Sequence, residues 1–230
     1  MTNSVAVVAA HPDDEVLGCG GTLARMASDG RTVHILLLAD GETSRSPGTD
    51  QPFDSAKLAA RQTAAEKASK ILGASSVEVL AFPDNRLDSL VLLDVVKQIE
   101  AFIQRHQPST VFTHHVGDVN IDHQVVHHAV VTACRPLPGN PVKELLFFEV
   151  PSSTEWRPAS SAEPFIPNWF VDISTTLAKK LQALEIYDSE LRVFPHPRSL
   201  KAVNALATWR GATVGVEAAE AFVLGRKIVE

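Results

Sequence analysis

Short apolar runs punctuate the first two thirds of the chain: VAVVAA at 5–10, VHILLLA at 33–39, VEVLAF at 77–82, TVFTHH at 110–115 and LLFFEV at 145–150. They are apolar at successive positions rather than alternate ones, which predicts strands buried on both faces. Between them the period lengthens to that of a helix, from about Glu15 to Ser28, Ser55 to Leu72, Leu90 to Gln107 and His123 to Ala133. Gly30 and Gly73 fall where helix C-caps are expected. Doubly buried strands alternating with amphipathic helices predict an α/β fold: a Rossmann-like, mostly parallel sheet with helices on both faces. The last third, Ile173–Glu230, reads as mostly helical.

Two polar stretches interrupt this rhythm, DGETSRSPGTDQPFD at 40–54 and PSSTEWRPASSAEPFIPNW at 151–169. Long loops in a small fold tend to carry function, so both are candidate specificity elements. VFPHPRS at 193–199 reads equally as a flap over a site mouth or as a proline-stiffened connection.

Composition narrows the field. The 230 residues, 45% hydrophobic and 21% charged, suit one globular domain, 1–230. A net charge of −6 disfavours nucleic acid and anionic membrane as partners. Two cysteines, Cys19 and Cys134, make no disulfide framework and fit a reducing compartment. The N-terminus lacks a basic signal-peptide start, and no apolar stretch approaches the roughly 20 residues of a membrane span. The expectation is a soluble cytoplasmic protein, with a homo-oligomer left open.

In an open parallel sheet, ligands bind beyond the carboxyl ends of the strands. There a dinucleotide site would place G-x-G-x-x-G; this chain instead places His11-Pro12-Asp13-Asp14-Glu15. Three carboxylates repel phosphate. Gly18, Gly20 and Gly21 come later, within the helix pattern, where they suit close packing. Capping the helix explains one acid, worth roughly 1 kcal/mol, but not two and a histidine. A metal explains more: His11 and Asp14 offer one nitrogen and one oxygen ligand, and Asp13 is left beside the ion as a base. A catalytic site of this kind needs a third ligand.

TVFTHHVGDVNIDHQVVHH, 110–128, follows another strand and ends on the same sheet edge. There Asp122-His123 opens a helix, and His123 can point back toward His11 and Asp14. His123 and His127 also stand at i and i+4, as in the H-E-x-x-H zinc protease motif. That motif's glutamate is Gln124 here, which cannot take a proton, so the protease reading loses its base. His127 and His128 are expected to face solvent or to stand behind the ligands.

Together AHPDDEVLGCGGTLA (10–24) and NIDH (120–123) resemble the PIG-L/LmbE-like family, which includes zinc-dependent N-acetylglucosamine-type deacetylases. R-x-x-x-x-E-x-x-x-x-x-LG (Arg61 to Gly73), FPDNRLD (82–88) and GVEAAEAF (215–222) extend the likeness over nearly the whole chain. The resemblance implies His11, Asp14 and His123 as metal ligands and Asp13 as general base. It implies sugar contacts for Arg61 and Asp84, and for Asp122 the role of orienting an imidazole. One position departs from the pattern. Where many members carry a histidine three residues before the last ligand, this chain has Asn120, which can donate to an oxyanion but cannot transfer a proton. Either Asp13 moves the proton alone, or His114, His115 or His196 comes in.

The expected reaction is removal of an acetyl group from an N-acetylated amino sugar or glycoconjugate. Zn2+ is the expected metal, and Fe2+ or Co2+ also suits a His₂Asp set. The alternatives are an amidohydrolase for a non-sugar N-acyl substrate and a non-catalytic α/β binding module. A two-metal phosphoesterase would want more carboxylates at the second cluster and more basic groups for phosphate.

Overall fold

The sheet is built outward from strand β1 (Ser4–Ala9), whose six residues are all buried. The computed structural model describes residues 3–41, 55–158 and 163–229. In chain order the helices are α1 (Asp14–Ser28), α2 (Ser55–Leu72), α3 (Leu92–His106), α4 (Ile121–Ala133), α5 (Leu177–Glu185) and α6 (Leu200–Ala212). The remaining strands are β2 (Thr32–Ala39), β3 (Ser76–Phe82), β4 (Thr110–His114), β5 (Glu144–Phe148), β6 (Trp169–Asp172) and β7 (Ala219–Lys227).

The strands lie in the order β3-β2-β1-β4-β5-β7-β6. β1 to β5 are mutually parallel, while β7 runs antiparallel to both β5 and β6. Alternate residues of β1 feed opposite cores. Val5, Val7 and Ala9 pack with residues of α1, α2, α5 and α6, whereas Ala6 and Val8 pack with residues of α3 and α4. Both faces are therefore dry, which is why the strands read as continuous apolar runs. Gly30 and Gly73 sit at positive φ, 81° and 76°, just past α1 and α2.

One expectation is corrected. The last third is not mostly helical, because Ala219–Lys227 forms a nine-residue strand against β5 and Trp169–Asp172 pairs with it. The sequence AEAFVLGRK opens with helix-favouring alanine and glutamate, and pairing with β5 overrides that preference. Of the polar stretch 40–54, only Asp40 and Gly41 fall within the described residues, as do all of 151–169 except 159–162. Among the described residues, no helix is long and apolar enough to cross a membrane.

Between β1 and β4 the strand order reverses direction, since the chain fills one side of β1 before crossing to the other. The crevice beyond the carboxyl ends of these two strands is the natural binding position in such a sheet. Both polar clusters of the sequence open onto it.

Candidate active site

The two clusters are tied by backbone first: the Ala10 N–H, just past β1, donates to His114 Nε2 at the end of β4 (2.9 Å). The chain then turns sharply. The His11 N–H donates to Asp14 Oδ2 (2.9 Å), and the Asp14 N–H returns to the His11 carbonyl (3.2 Å). Asp13 sits at φ 126°, a region that L-residues rarely enter, and opens α1 without capping it by its side chain. The helix-capping explanation of this carboxylate therefore fails.

Asp14 is fully buried, with Oδ2 3.2 Å from His11 Nδ1 and 3.2 Å from His123 Nε2. Asp14 Oδ1 and His123 Nε2 are buried and make no hydrogen bond. Orphaned polar atoms are costly in a dry interior unless something else binds them. Ligand atoms of His11, Asp14 and His123 all lie within 4.8 Å of one another. Two imidazole nitrogens and a carboxylate form a donor set that fits one divalent cation and leaves a coordination position open.

The imidazoles are held from behind. His11 Nε2 lies 3.0 Å from Asp122 Oδ2 and 3.0 Å from Asp84 Oδ1. The Asp122 carboxylate also accepts from the Asn85 N–H (2.7 Å) and the Leu87 N–H (2.9 Å), which fixes it. Asp122 thus orients His11 rather than the adjacent His123. His123 is held by Asp118, with Nδ1 3.0 Å from Oδ2. The Asp118 carboxylate further accepts from the Ser153 and Thr154 hydroxyls and the Asn120 N–H. Asp118 is absent from the residues singled out in the sequence, although it lies within their most polar stretch.

Burial and charge compete at every group. Burial alone would lower the His11 and His123 pKa values. The surrounding carboxylates more than offset it, raising His11 well above its ordinary value and His123 to about 9. Asp14, which burial would raise, is held well below the carboxylate range by His123 and His11. Asp118 is held at about 2, chiefly by its hydrogen bond to His123 against burial. Asp13 goes the other way, to about 8: burial raises it, and the guanidinium of Arg198 only partly counters.

Arg198, near the end of the 193–199 segment, is the one residue of that segment that lines the cavity beside Asp13. Its Nη1 stands 3.3 Å from Asp13 Oδ2 and 3.5 Å from Glu190 Oε2, and its Nε donates to Ser152 Oγ (2.6 Å). Arg61 is buried against Glu190. His11, Asp13, Arg61, Asp84, Asn120 and Arg198 line one polar cavity of about 150 Å³. Asn120 is partly occupied: its Oδ1 caps α4 by accepting from the Asp122 N–H (2.8 Å), and its Nδ2 donates to Asn85 Oδ1 (3.2 Å).

The other histidines stand apart from this cavity. His114 stacks on His123 at 3.9 Å, His115 faces the Glu163 carbonyl, and His196 packs edge-on to Trp156. His127 does not face solvent: it is buried, and its Nδ1–H donates to the His114 carbonyl (2.9 Å). His128 is exposed.

Comparison with known proteins places the chain in a family. The family model described as GlcNAc-PI de-N-acetylase (PIG-L) matches residues 6–134, the stretch that contains both clusters. The chain is 34% identical to the uncharacterized deacetylase YaiS of Escherichia coli, over 65% of this chain and 75% of that protein. It is 29% identical to the diacetylchitobiose deacetylase of Thermococcus kodakarensis, over 81% and 69%. It is also 30% identical to the 4-oxalmesaconate hydratase of Pseudomonas putida, over 79% and 72%.

Proposed function

The chain belongs to the GlcNAc-PI de-N-acetylase (PIG-L) family, and on that premise we propose that it is a metal-dependent hydrolase removing the acetyl group from an N-acetylated amino sugar or its conjugate. One observation carries this reading. The buried, unsatisfied atoms of Asp14 and His123 meet His11 beside a carboxylate, Asp13, that takes no part in that donor set. In this reading His11, Asp14 and His123 hold the ion. When bound, a divalent ion supplies Lewis-acid activation of water and of the acetamide carbonyl.

The chain's own groups do the rest. Asp13 accepts the proton of the attacking water as the new carbon–oxygen bond forms. It then delivers that proton to the amide nitrogen as the carbon–nitrogen bond breaks, so that acetic acid and a free amine leave, the acid's proton passing to the amine or to solvent. Asn120 Nδ2, turned from Asn85, donates to the developing oxyanion, an interaction typically worth roughly 3 kcal/mol. Arg61 and Asp84 meet sugar hydroxyls. Zinc suits the His₂Asp set, and iron(II) or cobalt(II) binds such sets as well. The two buried free thiols, Cys19 and Cys134, fit a cytoplasmic enzyme.

The similarity to a hydratase favours a second reading, in which the same activated water adds to a carbon–carbon double bond and no amide is cut. Acetate release separates the two. Metal-stripped protein is assayed on a panel of N-acetyl amino sugars, with and without zinc, beside Asp13→Asn. We expect zinc-dependent release that falls about 10²–10⁴-fold in Asp13→Asn while its metal content stays normal. No release by metal-loaded wild type, on any sugar, sinks the deacetylase reading. Hydration of an unsaturated acid by that same sample would then establish the second.

A further inference from the structure

Asp13 holds a backbone conformation that an aspartate does not keep unaided. At φ 126° and ψ −28° it lies outside the ordinary regions for an L-residue. Such strain persists only where surrounding contacts impose it. The conformation has a local consequence. It lets the Asp13 carbonyl start α1, accepting from the Val16 and Leu17 N–H groups (3.0 and 2.9 Å), while the side chain lines the cavity.

One contact that holds the Asp13 backbone N–H comes from Glu15. Glu15 Oε2 accepts the Asp13 N–H (3.0 Å), and Glu15 Oε1 accepts the hydroxyl of Tyr187 (2.6 Å). Glu15 and Tyr187 are each 1% exposed. The carboxylate thus has one oxygen on the strained backbone and the other on a tyrosine fixed in the core behind α5. A helix cap reaching only two residues back would need no such anchor. The anchor prevents Glu15 from rotating and releasing the Asp13 amide.

We infer that Glu15 and Tyr187 are a positioning pair that sets the aim of Asp13: the tyrosine hydroxyl locks the glutamate, and the glutamate locks the strained turn. The inference rests on the reading of Asp13 as general base. Neither residue touches the cavity, so neither is a catalytic residue.

Tyr187→Phe removes one hydroxyl and leaves the ring packed. Amide exchange at Asp13 is expected to quicken about tenfold or more, with Val8 in β1 unchanged, because an unanchored Glu15 no longer protects that N–H. In steady state on the N-acetyl sugar that the wild type cleaves, kcat is expected to fall about tenfold, with KM and bound zinc unchanged. In an Asp13→Asn background the same substitution is expected to change the residual rate less than twofold, because the group being aimed is already gone. Unchanged exchange at Asp13, or an equal kcat loss in both backgrounds, overturns the inference. Exchange needs no turnover, so a wild type that releases no acetate refutes the reading of function while the exchange result still decides the pair.

Discussion

The carboxylate of Asp118 turns a loop residue into a support for the imidazole of His123. It meets His123 Nδ1 at 3.0 Å and is itself held by Ser153, Thr154 and the Asn120 N–H, so the imidazole cannot rotate without breaking a saturated network. With Nδ1 engaged, Nε2 is left to face Asp14 and His11. Residues of this kind typically cost 10–100-fold in metal affinity when lost. Asp118→Asn is therefore expected to weaken zinc binding by about 10–100-fold in a competition titration with a chelating dye; an unchanged affinity would refute the orienting role. The candidate ligands themselves are legible in the sequence, because acids and imidazoles at two strand ends have few other uses. Which aspartate serves which histidine is not. Asp122 precedes His123 in the chain, but neighbours on a helix point in different directions. Asp122 accordingly reaches His11, on another element, and the support for His123 comes from five residues upstream.

At the scale of elements, α1 is two helices joined at Cys19, where φ −147° and ψ 17° interrupt the helical ladder. A buried ion pair closes the break from both sides. Glu220, from β7, accepts the Gly21 and Thr22 N–H groups (2.9 and 2.7 Å), acting as an N-cap for the second half. Lys180, from α5, donates to the Leu17 carbonyl (2.8 Å) at the end of the first half and to Glu220 Oε1 (2.6 Å). Close approach makes this possible: a Cβ on Gly21 would stand 2.7 Å from Ile173, and one on Gly18 2.3 Å from the Phe148 ring. Glu220→Ala would leave a buried ammonium unpaired and two N–H groups unsatisfied. It is expected to lower the unfolding free energy by about 3–5 kcal/mol in urea titrations. A loss under about 1 kcal/mol would mean that the break is held by other contacts. The five parallel strands and the first four helices are legible because their periodicity is set by burial on two faces. β7 is not, since its Ala-Glu-Ala start favours helix and its strand state depends on β5. Glu220 stands out in the sequence only as part of a family motif; the break it caps cannot be seen without the structure.

For the whole molecule, the reversal of strand order between β1 and β4 gathers residues more than 100 positions apart into one crevice, and His127 fastens its floor. It bridges α4 to the His114 carbonyl at the end of β4 and packs on Phe147 of β5 (ring centroids 4.5 Å). Burial is the main cause that lowers its pKa, to about 4, aided by the nearby His128 and His115 and opposed by the His114 carbonyl. The sign follows from proton counts. Above about 6.5 the ring is neutral in both folded and unfolded chains, and its contribution to stability is fully present. Between about 6.5 and 4 only the unfolded chain takes up the proton, so stability falls as the pH falls, by about 3 kcal/mol in all. Glu15 works against this in an overlapping window: burial raises it from 4.5 to about 7, so its contribution is present at low pH and lost as the pH rises toward 7. Asp13, raised to about 8, acts in the same sense as Glu15, so the His127 contribution is isolated only as the difference between a variant and wild type. In urea titrations at pH 7, 5.5 and 4, His127→Gln is expected to be less stable than wild type at pH 7, having lost a packed ring. Acidification should close that gap by about 3 kcal/mol. Parallel profiles for the two proteins would mean that His127 is protonated in the folded state as readily as in the unfolded one, and that the crevice floor is wetter than its burial implies.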